Sequence, residues 1–142
     1  MNPIHPPTQT ESNTELASLD DFESAARQHM NPVAYDYVAG GAADELTVRW
    51  NRDAYARLAL HPRILVDVNR IDTATTLLGR HLEWPVLLAP TALHRLVHPE
   101  GEVETARGAS AAGMPFVVSS FSTRRMKDIA AATTSPLWFQ FY

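Results

Sequence analysis

The chemistry that can be read most directly from this chain gathers at one turn. Val86, Leu87 and Leu88 form a short apolar strand, and Pro90 stops it because proline cannot donate a ladder hydrogen bond. The turn Pro90-Thr91-Ala92 therefore lies at a strand's carboxyl end. In barrels of alternating strands and helices that end carries the active site, so these three residues, with exposed amides at Thr91 and Ala92, are candidate cofactor contacts. The side chains are less telling on their own. The absence of cysteine excludes disulfides, a thiolate nucleophile and thiolate metal sites. His94 and His98 have the four-residue spacing of a helical metal pair, but Pro99 makes His98 a helix-entry residue and no third ligand is evident, so no metal is expected. Taken singly, Tyr37 and Tyr142 read as half-buried tyrosines, Ser119 as a serine capping the next loop, and Gln140 as a solvent-facing side chain. Arg124, Arg125 and Lys127 read as a solvated helix face.

These residues need elements to position them. Ser18 is a plausible N-cap for a short helix with Phe22, Ala25, Ala26 and His29 at helical spacing. Pro32 restarts the chain, and residues 33–38 make a second helix ended by Gly40-Gly41, where glycine accepts the left-handed conformation of a C-cap. From Asp44 a longer helix places Leu46, Trp50, Ala54 and Leu58 on one buried stripe. Residues 63–68 read as a strand, and 73–78 and 81–84 as a hairpin turning at Gly79-Arg80. Strict alternation then begins: strand 85–88, helix 99–112 with Glu100 and Glu102 at its positive end, strand 116–119, helix 124–132 capped by Ser122 or Thr123, and strand 137–141. Three parallel strands separated by helices indicate an α/β fold with both helices on the sheet's outer face. The expected domain organisation is a disordered tail over 1–17, helices and a capping hairpin over 18–84, and the first three β/α units of a barrel over 85–142. A closed barrel takes about 250 residues and eight strands, so a chain of this composition is expected to be an N-terminal fragment.

Composition narrows the partners. The 142 residues are 45% hydrophobic and 20% charged with a net charge of −4, which argues against nucleic acid or an anionic membrane surface. The N-terminal segment lacks the basic start and apolar core of a signal peptide, and no apolar run approaches the roughly 20 residues needed to span a bilayer. A cytoplasmic location is the default expectation. No G-x-G-x-x-G follows a strand, which counts against a doubly wound dinucleotide fold.

Seven segments in order carry a resemblance: Tyr35-Asp36-Tyr37 with Gly40-Gly41-Ala42, then Asn51, Pro62-Arg63-Ile64-Leu65, Ala89-Pro90-Thr91-Ala92, His98-Pro99-Glu100-Gly101-Glu102, Ser119-Ser120, and Trp138-Phe139-Gln140-Phe141-Tyr142. At these spacings residues 19–142 resemble the N-terminal third of the FMN-dependent 2-hydroxy acid oxidoreductases, the family of glycolate oxidase, lactate oxidase, lactate monooxygenase and mandelate dehydrogenase. The resemblance implies the first three strands of a TIM (β/α)8 barrel and oxidation of an (S)-2-hydroxy acid to a 2-oxo acid, with FMN reoxidised by oxygen or another acceptor. It implies flavin contacts from Pro90, Thr91 and Ala92 and from Ser119 and Gln140. It also implies substrate binding by Tyr37 and Tyr142, of which Tyr142 is the catalytic candidate, and a homo-oligomer at full length. The family's histidine base, substrate arginines and phosphate grip belong to later parts of the barrel, and none of His5, His29, His61, His81, His94 or His98 matches the base's motif. The chain alone is thus expected to bind FMN poorly and not to turn over. Phe141 stands where leucine is frequent and His94-Arg95 lies in a variable loop, which leaves substrate preference open. The competing readings are a catalytically silent interaction module built from such a barrel and another FMN barrel enzyme such as an isomerase.

Overall fold

In the computed structural model, residues 16–142 are described. The tail expected over 1–17 lies almost wholly outside them. The chain divides into two compact units, one ending at Glu45 and one beginning at Leu46.

The first unit is built by local capping. Helix α1 (Leu19–His29) begins at a capping box in which the Asp21 amide donates to Ser18 Oγ at 3.2 Å and the Ser18 amide donates to Asp21 Oδ2 at 2.8 Å. Hydrogen bonds from the Ser18 side chain and amide, then from the Ala17 amide, hold the Asp21 carboxyl below its ordinary range. Helix α2 (Pro32–Ala39) starts with proline in its first turn, capped by Asn31 Oδ1 accepting from the Val33 amide at 2.9 Å. The Tyr35 hydroxyl donates to Glu23 at 3.2 Å and the Arg27 guanidinium lies 5.5 Å over the Tyr35 ring, which fastens α2 to α1. The end of α2 corrects the expected left-handed cap: Gly40 has φ −76, an ordinary extended value. Glycine is needed there for a different reason, since a Cβ would stand 2.7 Å from the Asp36 carbonyl oxygen.

In the second unit, helix α3 (Leu46–Ala56) carries Leu46, Trp50 and Ala54 of the predicted stripe and ends before Leu58, and Leu46, Trp50 and Leu58 are all exposed. Periodicity announces an apolar face without supplying its partner. The strand expected over 63–68 does not form. Leu65 sits at φ +60, incompatible with an extended run, and a strand without a ladder neighbour leaves its amides unpaired. The hairpin does form, from β1 (Thr75–Leu77) and β2 (Arg80–Leu82), with Thr75 opposite Leu82 and Leu77 opposite Arg80. Its turn is Leu78-Gly79, one residue earlier than expected. Both turn residues have positive φ, +50 and +74, as a turn matched to strand twist requires.

The α/β part follows. Strand β3 (Phe116–Val118) pairs parallel with β4 (Leu137–Phe139), with Phe116 opposite Leu137 and Val118 opposite Phe139. On the other side of β3, the strand expected over 85–88 narrows to a single parallel bridge at Leu88. There the Leu88 amide donates to the Pro115 carbonyl and the Leu88 carbonyl accepts from the Val117 amide, both at 3.0 Å. Pro85 and Pro90, which have no amide to donate, bracket it. Helix α4 (Glu102–Ala111) joins the Leu88 strand end to β3, and α5 (Met126–Ala131) joins β3 to β4. Val103, Ala106 and Ala109 of α4, Phe116 and Val118 of β3 and Ile129 of α5 form the buried core, with Leu88, Ala132 and Leu137 packed against it.

Both helices begin later than expected. Gly101 at φ +54, ψ −132 is outside helical space, so Pro99 and Glu100 lie in a turn and α4 opens at Glu102. Helix α5 is preceded by Arg125 with no side-chain cap, because Thr123 is committed elsewhere and Ser122 bonds to Arg124. Arg124 consequently lies off the helix and is not a freely solvated residue. Its Nη2 approaches Glu100 Oε2 at 3.7 Å, its Nε is buried, and its Cγ packs over Gly101.

Candidate active site at the strand ends

Every candidate residue of the second unit falls at the carboxyl ends of Leu88, β3 and β4. After Leu88, the turn Pro90-Thr91-Ala92 leaves Thr91 exposed and Ala92 half-buried. The Thr91 hydroxyl donates to the Ala89 carbonyl at 3.4 Å, while the amides of Thr91 and Ala92 enter no backbone hydrogen bond among the described residues. Leu93 then turns left-handed at φ +60 and its amide donates to the Phe121 carbonyl at 3.2 Å. That bond ties the turn to the loop following β3.

Ser119, just past β3, is 3% exposed. Its hydroxyl accepts from the Phe121 amide at 3.2 Å and donates to Gln140 Oε1 at 3.3 Å. Gln140, just past β4, is held from the backbone side as well, its amide donating to the Val118 carbonyl at 2.9 Å. The parallel register that sets Val118 opposite Phe139 therefore brings these two polar side chains together, and half-buried Gln140 does not simply face solvent. Tyr142 is exposed, and its ring centroid lies 5.6 Å from that of Phe121 at 55°, a tilted aromatic contact. Tyr37 is on α2 in the first unit, more than half exposed.

The histidines have local roles. His94 Nδ1 is 2.9 Å from Thr105 Oγ1 and its ring is 6.1 Å from Phe116, while His98 Nδ1 accepts from the Glu100 amide at 3.2 Å. Among the described residues no group of three or more metal-ligating side chains converges, and no helix is long and apolar enough to cross a membrane.

Two participants were not singled out from sequence. Phe121 links both loops through its carbonyl and backs Tyr142 through its ring; the only sequence signal is a bulky aromatic immediately after a strand-end Ser-Ser pair. Glu102 was read as a helix-start charge, yet it has no exposed surface. A signal existed: Glu102, Val103, Ala106 and Ala109 share one helical face, so an acid stands on the stripe that faces the core.

Burial would raise the Glu102 carboxyl, but hydrogen bonds from the Thr123 amide and hydroxyl, its own amide and the His94 amide outweigh this and hold it below the ordinary value of 4.5. A depressed folded-state pKa contributes stability that is present above the unfolded value and lost as pH falls through the folded one. Urea denaturation should thus find wild type ahead of Glu102→Gln by its widest margin near neutrality, with the margin shrinking below pH 4.5. A margin unchanged on acidification would mean that Glu102 is not held as a carboxylate.

A family model described as FMN-dependent dehydrogenase matches residues 26–142. The chain belongs to that family. FMN is the family's cofactor, and the solved structures similar to this chain include a mandelate oxidase variant with a C4a-OH-FMN adduct. The chain is 41% identical over 128 residues to glycolate oxidase 5 of Oryza sativa subsp. japonica, an alignment covering 90% of this chain and 35% of that protein. Among solved structures, mandelate oxidase with (S)-4-hydroxymandelic acid superposes with a TM-score of 0.84 at 38% identity, covering 89% of this chain and 36% of that one. A soluble mutant of the membrane-associated (S)-mandelate dehydrogenase from Pseudomonas putida gives 0.81 at 37% identity, covering 87% and 35%. The chain therefore spans about a third of the length of the relatives it matches.

Proposed function

We propose that the chain supplies the flavin-ring side of an active site that oxidises a small (S)-2-hydroxy acid to a 2-oxo acid with FMN, at the strand ends of a (β/α)8 barrel. The observation that carries this is the Ser119–Gln140 pair. With its oxygen held by a buried serine at 3.3 Å, Gln140 keeps its Nε2 donors for a ligand. The Thr91 and Ala92 amides, on the strand end one position further along the sheet, are likewise uncommitted to backbone bonds. Such a donor set fits the polar edge of an isoalloxazine, which presents carbonyl oxygens and ring nitrogens as acceptors.

When bound, FMN supplies the two-electron acceptor for the substrate's α-hydrogen. The protein's part is to place donors before the reaction where negative charge will build, which avoids reorganisation at the moment of transfer. Ser119 orients Gln140, and the ladder holds both at fixed spacing. Tyr142 offers a neutral phenol to the substrate's hydroxyl or carboxylate, and Phe121 limits the swing of its ring. Oxygen or another acceptor would restore the oxidised cofactor.

The experiment is an FMN titration followed by flavin fluorescence, comparing the parent chain with Gln140→Leu. Loss of one neutral hydrogen bond should weaken FMN by up to about tenfold. A full-length protein carrying this chain should lose visible flavin absorbance on anaerobic addition of glycolate, lactate or mandelate. Unchanged affinity in Gln140→Leu, or no flavin in the full-length protein, would sink the assignment.

A further inference from the structure

Among the described residues, Glu102 is the one carboxylate with no exposed surface, and complementing the α4 dipole does not require burying it. Glu104, also in the first turn of α4, serves the dipole from an exposed position, paired with Arg107 at 2.7 Å. A buried carboxylate is costly unless donors surround it. Here they do, and they come from two loops. Oε1 accepts from the His94 amide at 3.2 Å and the Thr123 amide at 2.9 Å, and Oε2 accepts from the Thr123 hydroxyl at 2.7 Å. Thr123 Oγ1 accepts in turn from the Arg95 amide at 3.3 Å. Residues 93–95 follow the Pro90-Thr91-Ala92 turn, and residues 121–123 follow Ser119. Beyond the Leu88–Val117 ladder bond, this set and the Leu93–Phe121 bond are what join the two loops.

We propose that Glu102 is a positioning residue for the flavin-facing site: its buried carboxylate clamps the loop after Ala92 to the loop after Ser119, so that their donors face one ligand surface. The proposal rests on the flavin reading given above. Glu102 touches no reacting atom and acts only through His94 and Thr123.

The test compares the parent chain with Glu102→Gln, Thr123→Val, the double variant, and Glu104→Gln as a surface control. Hydrogen–deuterium exchange is measured without flavin, and FMN affinity by fluorescence titration. Losing a charge-assisted bond should speed exchange at 93–95 and 121–123 by about tenfold while the Leu88 and Val117 amides stay protected. FMN should bind about fivefold more weakly in Glu102→Gln, and Thr123→Val should add little in that background, because both remove the same link. Glu104→Gln should match the parent. Should Glu102→Gln fail to fold, Thr123→Val, which keeps the carboxylate and both amide donors, decides by the same selective loop exchange. Loop exchange that is unchanged, or that rises together with Leu88 and Val117, overturns the proposal, the second outcome making Glu102 a general prop of the fold. FMN affinity equal in parent and Glu102→Gln overturns the proposal while sparing the flavin reading. No flavin in the full-length protein, with selective loop loosening in Glu102→Gln, overturns the flavin reading and leaves Glu102 a clamp of the loops alone.

Discussion

Phe116→Ala should cost the second unit about 3–5 kcal/mol, the range for truncating a buried phenylalanine whose surroundings cannot close on the gap. Phe116 is 1% exposed and heads the fully buried side chains by volume. It sits between Leu88 and Leu137 in the sheet and packs beneath Val103, Ala106 and Ala109 of α4 and Ile129 of α5. Two of those neighbours are alanines, which have no side chain to swing into a void. The His94 ring, 6.1 Å away, is held by Thr105 and is not free to move in. Small domains hold only about 5–15 kcal/mol in total, so urea denaturation should show a large fall in midpoint or loss of the cooperative transition. A cost below about 1 kcal/mol, the range of ordinary surface changes, would place Phe116 outside the core.

Gly101→Ala should cost about 2 kcal/mol or more, from a glycine-only backbone and from a close approach of neighbouring side chains. The backbone at φ +54, ψ −132 belongs to glycine alone, and any Cβ would lie 2.8 Å from Arg95 Cγ and 3.2 Å from Thr123 Oγ1. Arg95 can shift, but Thr123 Oγ1 is engaged by Glu102 and by the Arg95 amide and yields only if those bonds lengthen. Gly113 has φ +65 with nothing within 4 Å of its Cβ position. Gly113→Ala therefore carries the left-handed term without the close approach, and should lose about 1 kcal/mol. Urea midpoints measured side by side should show the larger loss at Gly101, where the glycine-only backbone and the close approach both add. Equal losses at the two glycines would show that the packing around Gly101 is slack. Beyond stability, Gly101→Ala should loosen the loops at 93–95 and 121–123, since it strikes the same Thr123 hub as Glu102→Gln.

What could be read from the residues was whatever a few neighbours in sequence decide. Ser18 and Asp21 close a capping box three residues apart, Pro32 presets the first turn of α2, and Pro90 ends the strand at Leu88 because it has no amide. The order of apolar and helical segments from Leu88 to Phe139 needed only hydrophobic spacing and turn residues, and with it came the strand-end placement of Thr91, Ala92 and Ser119, whereas Gln140 lay inside the strand expected over 137–141 and only the family resemblance put it at a strand end. The ordered motifs from Tyr35 to Tyr142 likewise sufficed to name the family, because their spacing is a property of the chain itself.

Wherever a partner distant in sequence decides the outcome, local reading failed. Residues 63–68 have strand composition, but an extended run persists only where another strand accepts its amides, and none does. Thr123 has the chemistry of an N-cap, yet Glu102, 21 residues away, takes its hydroxyl and amide first. Glu102 looks like an exposed helix-start acid until the fold closes two loops over it, and Arg124 looks solvated until Gly101 makes room for it. The sequence by itself determined the capped helices, the hairpin, the order of the α/β elements and the family, but neither the missing strand at 63–68 nor the residues at which β3 and β4 end. Only the tertiary structure decided that Ser119 holds Gln140, that Phe121 backs Tyr142 and that a buried carboxylate joins the loops, because each depends on contacts that exist only after parallel pairing and helix packing bring residues 20 or more positions apart within hydrogen-bond reach.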